Sequence, residues 1–190
     1  MKKLTFAIIA VLGLGTNVVF AQTIDNSDDH TVTVVVPEVA LLDIETTGPA
    51  KNFSLMFTAP IEEGLGLTAP ASNTTTWLNY SSIVKSSTAA AGRDISVTVN
   101  TLVPGVDIKV LAAVGVMTAG AGAAGIPTTA QVTLTTGNST IITGVKSCFT
   151  GDGSAAGHKV TYDASVSSFA ALVSNGGGAA VTVTYTLADN

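Results

Sequence analysis

A single cysteine, Cys148, occurs in 190 residues, which rules out an intramolecular disulfide and the stapled scaffolds common among small exported domains. Cys148 is expected to be a small buried hydrophobe, with an intermolecular bridge as the alternative. Charge is scarce too. Asp, Glu, Lys and Arg make up 11% of the chain, against about 25% in ordinary soluble domains, so most of the surface must be uncharged. Aromatics are 5%, too few for the two girdles of an outer-membrane barrel. Two histidines, His30 and His158, and no Gly-x-Ser-x-Gly elbow leave little for nucleophilic hydrolysis. After residue 21 no apolar run approaches the roughly 18 residues of a spanning helix; the longest, 110–116, is interrupted by Gly115.

What is present begins with an export pattern. Lys2 and Lys3 form a positive n-region, residues 4–14 an apolar h-region, and Val19-Phe20-Ala21 a cleavage site. Cleavage after Ala21 makes Gln22 the mature N-terminus, and no cysteine follows to carry a lipid. The expected location is the cell exterior or outer surface, with the periplasm as transit. The formal net charge is −5 and grows more negative once Lys2 and Lys3 leave, so nucleic acid and anionic membrane surfaces are poor partners and no nucleic acid is expected.

Residues 22–30, with Asp25, Asp28 and Asp29, read as a flexible polar leader. Residues 31–190 read as one domain, within the size range of a single core. Strand patterns recur throughout and no window has a helical period. Expected strands are 31–36, 39–44, 52–57, 75–80, 94–100, 106–112, 131–135, 140–145, 159–162 and 180–187, separated by Gly, Ser, Asn and Pro. Ile95, Val97 and Val99 share one face of the cleanest of these, Ser96 and Thr98 the other. One or two helical turns, or an inward-packed loop, fit 165–174. The fold class is all-β: an antiparallel, Greek-key or immunoglobulin-like sandwich of nine or ten strands. A small outer-membrane barrel is the alternative, because alternating strands signal it weakly.

Several motifs resemble sites without meeting their chemistry. Gly120-Ala-Gly-Ala-Ala-Gly125 has dinucleotide-fingerprint spacing, but Ile126-Pro127 follows where a helix must begin. Residues 151–159 approach a phosphate loop, yet His158 separates Gly157 from Lys159 and no Ser or Thr follows the lysine. Asp152, the leader aspartates and the Glu62-Glu63 pair supply too few held oxygens for a firm cation site. Cys148 and His158 are a conceivable pair, but with neither the spacing nor the number of a metal site. No catalytic, cofactor or metal residue is assigned, and the chain reads as non-enzymatic. Trp77 and Tyr80 are a core plug or, alternatively, an exposed platform for a glycan.

Both ends of the domain alternate strictly: Val32, Val34 and Val36 near the start, and Val181, Val183, Tyr185 and Leu187 near the end. Each strand either completes its own sandwich or adds to the sheet of another copy. The export signal, the Thr/Val/Ala/Gly-rich all-β body and the alternating C-terminal strand with Tyr185 resemble fimbrial or pilus-type surface subunits of Gram-negative bacteria. That resemblance implies an extracellular structural or adhesive role, with assembly or attachment as the mechanism. A monomeric ligand-binding module is the competing expectation.

Overall fold

The computed structural model describes residues 26–190; the expected export signal and residues 22–25 of the expected leader lie outside the described residues. The chain divides into two units, residues 1–35 and residues 36–190. The described part of the first, 26–35, carries no strand or helix.

The second unit is an all-β sandwich of ten strands in two open antiparallel sheets. Strands β1 (Val39–Thr46), β2 (Asn73–Ile83), β9 (His158–Val166), β4 (Val106–Ala112) and β6 (Val132–Thr133) lie side by side in that order, and β8 (Cys148–Phe149) also pairs with β2. The second sheet runs β10 (Val183–Asp189), β3 (Arg93–Val99), β7 (Ser139–Val145), β5 (Ile126–Pro127). Both sheets have edges, so the barrel alternative is set aside. The chain changes sheet at nearly every connection from β2 onward, which makes most pairings non-local.

Period-2 alternation sets which face packs. In β3, Arg93, Ile95, Val97 and Val99 are buried, while Asp94, Ser96 and Thr98 are half-buried. In β2, Thr76, Leu78, Tyr80 and Ser82 face inward. Val110 and Ala112 of β4, Ile141, Ile142 and Val145 of β7, and Val160 and Tyr162 of β9 complete the core.

Three expectations change. Residues 31–36 form no strand: the strand series opens at Val39, after Pro37, and Val32, Val34, Val35 and Val36 are 69–82% exposed. Alternation shows that a segment has an apolar face, but a strand also needs an edge to pair with, and Pro37 has no N–H for a ladder. Residues 52–57 likewise form no strand, although Leu55 still packs on the core and the Phe53 ring lies 5.0 Å from that of Tyr162. A single bridge, Thr58 to Thr68, closes a small loop after them. The expected turns at 165–174 reduce to one 3₁₀ turn, Phe169–Ala171, with Phe169 exposed.

Candidate functional site

Sheet edges carry unpaired N–H and C=O groups and are where another chain can add. At one side of the sandwich the edges are short, since β5 and β6 have two residues each. The other two edges, β1 and β10, have eight and seven residues.

On β10 the register with β3 sets Val183 opposite Val99, Tyr185 opposite Val97 and Leu187 opposite Ile95. The β3 members of these rows are buried, whereas Val183, Tyr185 and Leu187 are half-buried, because no strand covers their outer side. Val181 extends the same apolar row and packs on the core. The alternate residues, Thr184, Thr186 and Ala188, face solvent. Tyr185 is held across the sandwich by a hydrogen bond between its hydroxyl and that of Tyr162. Burial pushes the Tyr162 phenol up to about 12 and the Tyr185 phenol upward too.

The end of this edge is tied by Arg93, whose side chain is 2% exposed. Its Nε donates to Asp189 Oδ1 at 2.8 Å; its other nitrogens donate to Glu38, the Val39 and Ile83 carbonyls and Ser82 Oγ. One guanidinium therefore joins β3 and β10 of one sheet to the β1 and β2 ends of the other. Lys85 Nζ reaches the second Asp189 oxygen at 2.7 Å. The hydrogen bond from Lys85, followed by that from Arg93, holds the Asp189 carboxyl below its usual range. Sequence reading began this strand at Asp94 and missed Arg93. The signal was present: Arg93 has the parity of Ile95, Val97 and Val99, and Asp189 that of Leu187, Tyr185 and Val183.

The aromatic platform does not form. Trp77 and Tyr80 are an odd number of residues apart on one strand, so they point to opposite faces. Tyr80 is 3% exposed and part of the core. Trp77 lies on the outer face, half-buried between the register positions of Glu45 and Lys159, its indole N–H without a partner.

Tyr80 instead serves a buried network. His158 Nδ1 is 2.7 Å from the Ala113 carbonyl, which can only accept, so Nδ1 carries the proton and Nε2 is left as an acceptor. The Tyr80 hydroxyl, 2.9 Å from Nε2, donates to it and accepts the Gly125 N–H at 2.9 Å. No polar side-chain atom of Tyr80 or His158 is left without a partner. Desolvation lowers the His158 pKa and lifts that of Tyr80 to about 12. With both ring nitrogens engaged, His158 has none to offer Cys148 or a metal. Cys148 is buried, with its thiol pKa raised by that burial. It lines an open crevice of about 420 Å³ with Val39, Ile83, Gly122 and Phe149.

The glycine run 120–125 has a packing role. A methyl group at Gly120 would stand 2.2 Å from the Phe149 carbonyl oxygen, and one at Gly122, where φ is +84°, 2.6 Å from that of Ser147. At Gly125 it would meet Ile142 and Val145 side-chain carbons at 2.6 and 2.7 Å. No helix starts there; β5 does. Of the acidic residues, Asp25 lies outside the described residues, and Asp28, Asp29, Glu62, Glu63 and Asp152 are exposed. Among the described residues no group of three or more His, Cys, Asp or Glu is placed to hold a metal ion.

No protein-family model, no curated protein and no solved structure matches the chain.

Proposed function

We propose that the protein is an exported, non-enzymatic structural or adhesive component of the cell surface that assembles through strand addition. The observation that carries this reading is residues 31–36: alternating valines, exposed and in no sheet, in a chain whose sandwich leaves two long edges open. An apolar segment in water is costly, and burying each valine is worth about 1.5 kcal/mol or more. Main-chain hydrogen bonds to an open edge would supply affinity and the alternating side chains specificity. A low-charge surface suits a protein much of whose exterior is covered by copies of itself. The export signal and the resemblance to fimbrial subunits point the same way, toward the outer cell surface.

The glycan-module reading is weaker, since it rests on Trp77 alone, whose unpartnered indole N–H is buried.

Light scattering on size-exclusion fractions of the chain from Gln22 onward tests the proposal. Oligomers that vanish when residues 22–37 are deleted, and a monomer obtained when that segment is added as a peptide, are expected. A full-length protein that stays monomeric at every concentration would end it.

A further inference from the structure

We propose that residues 113–125, which join β4 to β5, are an acid-released strap: a proton on His158 breaks the hydrogen bonds that pin the strap over the crevice beside Cys148 and opens that crevice while both sheets stay folded. The inference does not rest on strand addition.

Little apolar surface holds the strap down. Of residues 113–125 only Gly125 is buried, and Met117 packs against the core. Its main chain is tied to the body at two bridges, Val116 to Gly157 and Ala121 to Phe149, and by the Ala113 N–H to the Lys159 carbonyl. Segments held in this way open before the fold does. The strands beneath have anchors of their own: Cys148 and Phe149 pair with Ser82 and Ser81 of β2, and the Thr150 N–H donates to the Tyr80 carbonyl.

The pin is the hydrogen-bond chain described above. Gly125 donates to the Tyr80 hydroxyl, Tyr80 to His158 Nε2, and His158 Nδ1 to the Ala113 carbonyl, so the two side chains grip the strap at both ends. Between those ends Gly115 lies against the ring: a methyl group there would stand 3.1 Å from both Cε1 and Nε2. A second proton on the imidazole must go to Nε2, which then donates instead of accepting. The Tyr80 oxygen now faces two donors, and the hydroxyl proton has lost the acceptor it had, inside the protein.

Nothing around the ring compensates for the new charge. Residues 113–125 contain no titratable side chain, and among the described residues no carboxylate is buried. Strand β2 presents Tyr80 and β8 presents Cys148; β4 presents Val110 and Ala112, and β7 presents Ile142 and Val145. On β9 itself Val160 and Tyr162 share the inward face while Lys159 alternates to the other. Arg93 of the facing sheet is engaged by Asp189 and Glu38. Burial accordingly depresses the His158 pKa. The ring cannot swing out, because it is fully buried at the start of β9, a strand flanked by β2 and β4. The strap can lift, and lifting it brings water to Nε2 and the Tyr80 hydroxyl.

The strap also walls the crevice of about 420 Å³, which Ala121 and Gly122 line together with Cys148 and Phe149. Gly122 presses so closely that an added methyl group would stand 2.7 Å from Cys148 Cβ. Opening therefore uncovers a residue that is 7% exposed in the closed form, and the single thiol of the chain reports it.

Thiol labelling of the chain from Gln22 onward tests the strap. Dividing the rate in urea-unfolded protein by the native rate at the same pH gives the protection of Cys148 free of the pH dependence of thiol chemistry. The closed form is fully favoured above about pH 6.5, the usual histidine value, and loses ground as pH falls below it. Between pH 7.5 and pH 5 protection should drop at least about tenfold, and at pH 5 labelling should outrun global unfolding, read from hydrogen exchange of the Ile95 and Val97 amides. His158→Gln should remove the drop. Tyr80→Phe, which lacks the pin, should label at pH 7.5 at least about tenfold faster than the native sequence and ahead of its own unfolding; it decides the matter if His158→Gln does not fold. Labelling that tracks global unfolding at both pH values, protection that does not change with pH, a drop that survives in His158→Gln, or a Tyr80→Phe variant as protected as the native sequence would each overturn the proposal.

Discussion

Arg93 and Asp189 lie directly opposite each other in the β3–β10 ladder, with Arg93 Nε 2.8 Å from Asp189 Oδ1 and the arginine side chain 2% exposed. A buried cation is tolerated only when it is paired and hydrogen-bonded. Here the acids on both sides, Asp189 and Glu38, keep 30% and 44% of their side-chain exposure. The guanidinium is thus dry while its counter-charges stay wet, which limits the desolvation cost and leaves its five donors to organise strand ends from both sheets.

Arg93→Met should therefore destabilise the sandwich by about 3 kcal/mol, the low end of the cost of breaking a buried ion pair. Urea unfolding of the variant measures it. Asp189→Asn should cost less, because the guanidinium keeps Glu38, Ser82 and two carbonyls. Arg93→Lys should fall between them, since a point charge cannot serve a fork of partners. Equal losses for Arg93→Met and Asp189→Asn would show that the pair alone matters.

The neutral His158 makes stability fall in mild acid. Its folded pKa is depressed, so the unfolded chain takes up the proton first. Stability is complete above pH 6.5 and is lost as pH drops through the lower folded value. The urea midpoint should decline between pH 7 and pH 5, with a shallower slope in His158→Gln. Tyr80→Phe, which strands His158 Nε2 and the Gly125 N–H, should cost about 2 kcal/mol at pH 7.5.

All three tyrosines have raised pKa values, led by burial. At pH 10, where a free phenol is half ionised, the folded protein should show almost no tyrosinate absorbance, and urea should release it. The unfolded chain ionises near pH 10 and the folded one higher, so stability is lost as pH rises above 10. Appreciable tyrosinate in the native protein at pH 10 would contradict the buried Tyr162 and Tyr185 pair.

Gly122→Ala should lower the yield of folded protein sharply, because its methyl meets the Ser147 carbonyl oxygen and the Cys148 backbone at under 3 Å from a φ of +84°. Gly153→Ala also has positive φ but meets open space, so only the backbone penalty of about 1 kcal/mol applies. Circular dichroism and thermal melts of the two variants separate close packing from conformational freedom.

Residues within one element carried much of the fold. Alternation in Ile95, Val97 and Val99, or across 106–112, states directly which side chains face the core, because the period of 2 belongs to the strand itself. That gave the sandwich class, and parity alone would have exposed Arg93 and Asp189 as inward-facing. Pairing is another matter. Residues 31–36 and 183–189 each carry an apolar row at every second position, yet β10 finds β3 and residues 31–36 find no strand. The two-residue strands β5 and β8 are too short for any period to register. Nor could spacing tell a phosphate cradle from the run 120–125, whose glycines exist because Phe149, Ser147, Ile142 and Val145 press against them from other parts of the chain. A sequence determines which face of a strand is apolar; which edge is already taken, and which backbone lies within 3 Å, depends on contacts between distant segments that only the assembled sheets bring together.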